Sequence, residues 1–121
     1  MVVAVHTPLL IHHARTFWQR LGGLLARPRL LPHEALHLAP CSSVHTCFMR
    51  YAIDVAFIDR NGTVLKLAAQ LEPWRAAACW GAHGAVELAA GQASVYGIRP
   101  GAPLDLRLAS QPKPLSVKGS A

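Results

Sequence analysis

The sequence predicts a mainly β fold, a small β-sandwich or half-open barrel with one or two short packed helices. Several short apolar runs are separated by turn residues, and an Asn61-Gly62 pair joins the two strongest of them. Such spacing is typical of sandwiches and barrels. The chain has 121 residues, of which 52% are hydrophobic and only 15% are charged. That length and balance allow one hydrophobic core and argue against disorder.

The individual strands and helices are predicted from the period of the apolar residues. Alternating or β-branched apolar runs predict strands at 2–5, 35–39, 53–58, 63–71, 94–98 and 104–108, with an extended or turn-like stretch at 44–49. Apolar residues recur at helical spacing over 12–25, which predicts an amphipathic helix. A second, short helix is predicted over 82–90, with Gly91 at its C-terminal cap. Asn61-Gly62 predicts a hairpin, because both residue types tolerate positive φ.

The chain is expected to form one globular domain over residues 1–109, followed by a disordered and dispensable tail over 110–121. The tail is polar and is interrupted by Pro112, Pro114 and Gly119. It therefore buries too little apolar surface to offset the entropy of ordering it. The sequence contains no internal repeat that would divide the domain further.

The partners and the cellular location of the protein are predicted from its net charge, its apolar runs and its cysteines. The net charge of +6 includes four arginines near the N-terminus, namely Arg15, Arg20, Arg27 and Arg29. They keep weak polyanion binding as a lower-ranked alternative, but no specific nucleic acid partner is expected. No apolar run approaches the roughly 20 residues of a membrane-spanning helix. The apolar start lacks the basic residues of a signal peptide, and three cysteines are too few for a disulfide scaffold. These observations predict a cytoplasmic protein.

Motifs along most of the chain resemble one known family. The stretches that carry the resemblance are Ala14-Arg15-Thr16 with Arg20, Gly23-Leu24-Leu25 and Arg27, the central segment 45–55, the hairpin 57–64, and 86–91 followed by Gly97-Ile98 and Gly101. Over about residues 14–108 these motifs resemble domain-of-unknown-function family 192 (DUF192). The resemblance implies a small β-sandwich-like fold. It implies no activity, because the family has no established one.

The sequence departs from the family's generic pattern in the central segment. The run Phe48-Met49-Arg50-Tyr51 stands where the family has a Trp-Met-Lys-Asn type of run, and Ala52 stands where it has proline. The additional residues that resemble one bacterial branch of the family are Cys41, His45, Cys79 and the pair Trp74-Arg75.

The leading functional prediction is a non-enzymatic binding or accessory module without a cofactor, acting with an unknown protein or small-molecule partner. Asp54 is a carboxylate inside an apolar strand, and an unpaired buried charge costs several kcal/mol. Arg50 and Arg75 are its obvious partners. We therefore predict that Asp54 and Arg75 form an ion pair beside Trp74. The predicted binding residues are His45, Arg50, Asp54, Trp74 and Arg75.

Two other groupings of residues in the same region predict a metal site or a thiol nucleophile instead of a binding site. Cys41, His45, Cys79 and His83 are the residue types of a zinc site, although their spacing matches no compact zinc motif. A contact between Cys41 and Cys79 without metal is at least as strongly predicted. Alternatively, His45 could activate the thiol of Cys47 or Cys41 as a nucleophile. The alternative function is therefore a cysteine- or metal-dependent enzyme that uses Cys41, His45, Cys47 and Cys79.

Overall fold

The computed structural model describes residues 9–14, 29–47 and 49–104, and this part of the chain is mainly β. It contains seven strands and one short helix. In chain order these are β1 (Leu10–Ala14), β2 (Glu34–Leu38), β3 (Ser43–His45), β4 (Ile53–Ile58), β5 (Val64–Leu71), β6 (Ala76–Ala78), β7 (Gly84–Ala89) and α1 (Gln92–Val95). The predicted fold class is therefore confirmed.

Five of the strands form one sheet in the order β1-β2-β7-β4-β5, which leaves β1 and β5 at its edges within the described residues. β1 and β2 are parallel, and the other neighbouring pairs are antiparallel. The strands β3 and β6 pair with each other in a separate antiparallel sheet. The large sheet thus stays open, and the small sheet packs on one of its faces.

The large sheet has a hydrophobic cluster on each face, and β4 contributes to both. Alternate residues of a strand face opposite sides. Ala56 and Ile58 accordingly pack in one cluster with Ala93 of α1, and Val55 and Phe57 pack in the other with Val44 of β3. Every residue of β4 is buried for this reason. Burial on both faces also explains why β4 is apolar at every position except Asp54.

The β4–β5 hairpin forms where the sequence predicts it, but by a different turn geometry. Gly62 has a φ of 86°, whereas Asn61 does not adopt positive φ. The carboxylate of Asp59 instead accepts hydrogen bonds from the N–H groups of Asn61 and Thr63, at 2.8 and 3.0 Å. An aspartate that binds the backbone two residues ahead is a common turn-stabilising device.

Two predicted elements near the C-terminal half are wrong. The segment predicted as a helix over 82–90 contains β7, and the segment predicted as a strand over 94–98 begins inside α1. β7 lies between β2 and β4, and five of its six residues are buried. A central position in a sheet overrides the helix propensity of a segment rich in alanine. Gly91, with a φ of 85°, precedes α1 instead of ending a helix.

Several other predictions fall wholly or partly outside the described residues. They are the strand at 2–5, the helix over 12–25 beyond residue 14, the strand at 104–108 beyond residue 104, and the tail at 110–121. For the helix, the start is wrong, because residues 12–14 belong to β1. Across the part of the chain that is described, no helix has the length and apolar character needed to cross a membrane.

Gly62 provides a test of the turn, because Gly81 is a matched control with the same φ of 86°. A Cβ at Gly62 would lie 2.8 Å from the backbone carbonyl oxygen of Leu104, whereas a Cβ at Gly81 would meet nothing within 4 Å. Both Gly→Ala changes cost left-handed strain of about 1 kcal/mol, and Gly62→Ala adds a steric clash. We expect Gly62→Ala to lower the free energy of urea unfolding by at least 1 kcal/mol more than Gly81→Ala does. Equal losses would contradict the close approach to Leu104.

Candidate functional site

The carboxylate of Asp54 is buried in β4 and is held by backbone amides. Asp54 is only 1% exposed. Its Oδ1 accepts a hydrogen bond of 2.8 Å from the N–H of Gln70, and its Oδ2 accepts one of 2.9 Å from the N–H of Ala93. A buried acceptor without partners would cost at least about 1–3 kcal/mol. These two hydrogen bonds remove that cost and join the end of β5 to α1.

Gln70 is held by Asp54 in an unfavourable conformation. It has a φ of 52°, which is uncommon for a residue other than glycine. Such backbone strain persists where surrounding contacts fix it, and it is concentrated at functional sites. The hydrogen bond from its N–H to Asp54 is one such contact.

A cleft of about 370 Å³ lies on the same face of the sheet, and we call it the Asp54 cleft. One wall belongs to β5 and includes Leu67 and Gln70. The other wall consists of α1 and the turn after it, and includes Ser94 and Arg99. The buried residues of the lining are Asp54, Ala93 and Ile98. The volume lies near the lower end of the roughly 300–1,000 Å³ that is usual for small-molecule sites.

On the opposite face, Thr46 fixes the connection between β5 and β6. Thr46 is completely buried, and its Oγ1 lies 2.6 Å from the carbonyl oxygen of Glu72. The same Oγ1 accepts a 2.8 Å hydrogen bond from the N–H of Arg75. The backbone of Thr46 also accepts from the N–H of Trp74, at 3.1 Å, and donates to the carbonyl of Arg75, at 2.8 Å. Trp74 is thereby held at a φ of 64°.

Four of the five predicted binding residues lie near Thr46. His45 belongs to β3 and pairs with Ala76 of β6, directly after Trp74 and Arg75. Arg50 follows Met49, whose N–H donates to the carbonyl of Thr46. A binding role for His45, Arg50, Trp74 and Arg75 stays a prediction.

Asp54 does not lie with the other four, and the predicted ion pair is wrong. Within the described residues, neither Arg50 nor Arg75 makes an ion pair with Asp54. Ile53 and Val55 face the small sheet, so Asp54 between them faces α1. Backbone N–H groups, rather than a guanidinium, satisfy its carboxylate.

The predicted metal ligands do not assemble into a metal site. In the described ranges, no three His, Cys, Asp or Glu side chains gather in a way that could hold an ion. Cys41 and Cys79 both pack in the cluster beneath the small sheet, where Cys41 is buried, and no disulfide joins them. His83 instead acts electrostatically on His37, on the other face of the large sheet.

The predicted thiol nucleophiles, Cys47 and Cys41, lie on either side of β3. β3 ends at His45, and Cys47 lies in the turn that follows. No hydrogen bond links the His45 ring to the Cys47 thiol in the part of the chain that is described. Cys41 donates its thiol hydrogen to the carbonyl of Ser43, at 3.1 Å. The geometry therefore offers no support for the cysteine-dependent enzyme.

A pair of histidines joins β1 to β2. The Nδ1 atoms of His13 and His37 lie 2.9 Å apart, and the rings meet edge to face. Burial, together with the smaller effects of the nearby His13 and His83, lowers the pKa of His37 from 6.5 to about 4. Its Nε2 is buried without a hydrogen-bond partner among the described residues.

The sequence analysis missed three residues that organise these regions. The Thr46 hydroxyl bonds to the backbone of Glu72 and Arg75, and the N–H of Gln70 donates to the side chain of Asp54. These contacts join residues far apart in sequence, so no local pattern reveals them. Glu87 is 1% exposed and lies in β7, between Leu36 and Val55 of the neighbouring strands. The sequence pattern gives no sign of its burial in a sheet, because its segment predicts a short helix over 82–90.

Thr46 can be tested by removing its hydroxyl while keeping its shape. Thr46→Val leaves the N–H of Arg75 and the carbonyl of Glu72 without the hydroxyl, so we expect a loss of about 2–3 kcal/mol in free energy of unfolding. Thr46→Ser keeps the hydroxyl and loses one methyl group, at a cost of about 1 kcal/mol. Urea unfolding measures both, and Trp74 emission should shift only in the valine variant. Equal losses in the two variants would show that the hydroxyl is unimportant.

The lowered pKa of His37 predicts that the folded protein loses stability in mild acid. The unfolded chain binds a proton at His37 near pH 6.5, whereas the folded chain does so only near pH 4. The free energy of unfolding should therefore fall as the pH drops from 6.5 to 4, by about 1–2 kcal/mol after allowance for solvent screening. Urea unfolding at several pH values should show a shallower fall in His37→Gln. The control His45→Gln, on the other sheet, should keep the full fall, and parallel curves for wild type and His37→Gln would contradict this assignment.

Comparison with known proteins gives a family and a fold. The chain matches the family DUF192, described as an uncharacterized ACR, over residues 3–106. The crystal structure of a protein of unknown function from Novosphingobium aromaticivorans DSM 12444 is similar with a TM-score of 0.65 and 23% identity, covering 75% of this chain and 70% of that one. The crystal structure of a "putative transcription regulator" from Sinorhizobium meliloti 1021 gives a TM-score of 0.67 and 21% identity, covering 77% and 78%. No protein of curated function matches this chain.

The two structural similarities, at these low identities, establish the fold alone. The family match spans most of the chain and confirms the resemblance that the sequence motifs indicate. The chain therefore belongs to the DUF192 family, a family of uncharacterised function.

Proposed function

We propose that the chain is a non-enzymatic binding module, and that its Asp54 cleft binds a small anion with an apolar body. The observation that carries this proposal is the cleft of about 370 Å³ whose two walls are both bonded to one buried carboxylate. A site held in shape before its ligand arrives loses little ordering entropy on binding.

The lining of the cleft supports this ligand chemistry. Leu67, Ala93 and Ile98 offer apolar surface, which favours a ligand with a hydrocarbon part. Arg99 is the cation among the lining residues, and a guanidinium binds carboxylate or phosphate groups through paired hydrogen bonds. Both oxygens of Asp54 already accept backbone hydrogen bonds, so the aspartate serves the frame of the site more than the charge of the ligand.

The same lining supports binding over catalysis. It includes neither histidine nor cysteine, and its titratable residues are Asp54 and Arg99. An arginine stays protonated, and the carboxylate of Asp54 is engaged on both oxygens. Ser94 is the hydroxyl-bearing residue of this lining, and the lining offers it no histidine as a general base.

The setting that we propose is the cytoplasm, where the module serves a partner as an accessory protein. Cys41, Cys47 and Cys79 are all thiols. Thiols without disulfides are typical of proteins in a reducing compartment.

Binding can be tested with hexanoate as the probe and hexanamide as its uncharged counterpart. We expect hexanoate to shift the amide NMR resonances of Gln70, Ala93 and Gly97, and hexanamide to shift them at least fivefold more weakly. Arg99→Gln should weaken hexanoate binding about tenfold, because a charged hydrogen bond contributes about 1.5 kcal/mol or more. Arg60→Gln, at the exposed β4–β5 turn, is the matched control and should leave binding unchanged.

A second variant tests the site by filling the cleft with a larger side chain. Ala69 lines the cleft and is exposed, so Ala69→Trp should fill the space without disturbing the core and should abolish the hexanoate shifts. Unchanged binding in both Ala69→Trp and Arg99→Gln would show that the cleft is not the site. Equal binding of hexanoate and hexanamide would rule out a preference for anions.

A further inference from the structure

The outer face of the small sheet is bordered by two tryptophans. β3 and β6 bury only their middle residues, Val44 and Ala77, against the core. Their other residues are exposed, and all have small side chains except His45. Trp74 precedes β6, and Trp80 follows it. We call this set the tryptophan surface, and its members are Ser43, His45, Trp74, Ala76, Ala78 and Trp80.

The exposure of the two tryptophans is the unusual feature of this surface. Trp80 is 97% exposed, and Trp74 is 61% exposed. Tryptophan is highly buried on average, and exposed apolar side chains near one another mark interaction sites. The backbone of Trp74 is also held by the hydrogen bond from its N–H to the carbonyl of Thr46, so the main chain that carries the indole is fixed before any ligand binds.

The charges around the tryptophan surface favour a polyanion. The segments that build this side of the molecule, 41–52 and 66–83, contain the cations Arg50, Lys66 and Arg75 against the single acid Glu72. The Nζ of Lys66 donates a 2.8 Å hydrogen bond to the carbonyl of Ala78, which places its charge beside β6. Neither arginine forms an ion pair within the described residues.

We propose that the tryptophan surface binds single-stranded nucleic acid without sequence preference. Proteins that do so combine cations for the backbone with aromatic side chains on which bases stack. Trp74 and Trp80 would stack on bases, and Arg50, Lys66 and Arg75 would neutralise phosphates. The two tryptophans are six residues apart, at most about 20 Å along an extended chain. That span corresponds to about six nucleotides at a stacked spacing of about 3.4 Å.

Single-stranded nucleic acid fits this surface better than a duplex or a protein. Only unpaired bases expose faces that an exposed indole can cover. A protein partner would meet a groove or a larger apolar area, whereas the floor here consists of the side chains of one serine, one histidine and two alanines. The face lies opposite the Asp54 cleft, so this inference does not depend on the proposed function.

The test uses fluorescein-labelled oligothymidylates of 3, 6 and 12 nucleotides, with anisotropy and tryptophan quenching as the readouts. We expect affinity to rise from 3 to 6 nucleotides and then to level off. Trp80→Leu should weaken binding about tenfold, and Trp80→Phe should stay within about threefold of the wild type, because phenylalanine still stacks. Arg75→Gln should reduce the slope of log K against log salt by about 0.7, whereas Arg60→Gln should not change it.

Three results would overturn the proposal. One is unchanged affinity in Trp80→Leu once circular dichroism has shown that the variant is folded. Another is equal or tighter binding of a 12-base-pair duplex, which would make the interaction one of charge alone. The third is self-association of the wild type, abolished by Trp80→Leu and insensitive to oligonucleotide, which would assign the surface to a second copy of the chain. Because Trp80 is almost fully exposed, its replacement should not affect folding.

Discussion

The buried carboxylate of Asp54 connects three parts of the molecule that share no continuous secondary structure. It lies in the central strand β4, and its two oxygens bind backbone groups of β5 and α1. A four-residue helix has little stability of its own, since helix nucleation is unfavourable. The hydrogen bond to Ala93, together with burial of that residue in the core, therefore positions α1 on the sheet. The cleft between β5 and α1 follows from the same contact.

Thr46 has the corresponding role on the other face of the sheet. Each of these buried polar side chains fixes the neighbourhood of a left-handed residue, Gln70 in one case and Trp74 in the other. Gln70 and Trp74 are the residues other than glycine that have positive φ in the described part of the chain. Strain of this kind costs about 1–3 kcal/mol at each position. It is retained here where one residue forms a wall of the cleft and the other an end of the tryptophan surface.

The sequence predicts those features that depend on neighbouring residues. The β4–β5 hairpin is predictable because Asp59 and Gly62 act within a few residues of each other. β7 was mistaken for a helix because its strand state depends on β2 and β4, which are distant in sequence. The same limit applies to the site: the burial of Asp54 could be inferred, but its partners could not. Carboxylates bind backbone amides as readily as guanidinium groups, and composition does not distinguish the two.

The residues between Gln70 and Trp74 link the two candidate binding faces. This connection is short, and each of its ends is bonded to a buried group of the core, Asp54 at one end and Thr46 at the other. Backbone that is fixed in the unliganded protein does not lose conformational freedom when a ligand arrives. A small domain can therefore present two rigid surfaces, each supported by the hydrophobic cluster on its own face of the large sheet. The β4 and β5 strands supply the support for both, because Asp54 lies in β4, whose residues are all buried, and its carboxylate binds the end of β5.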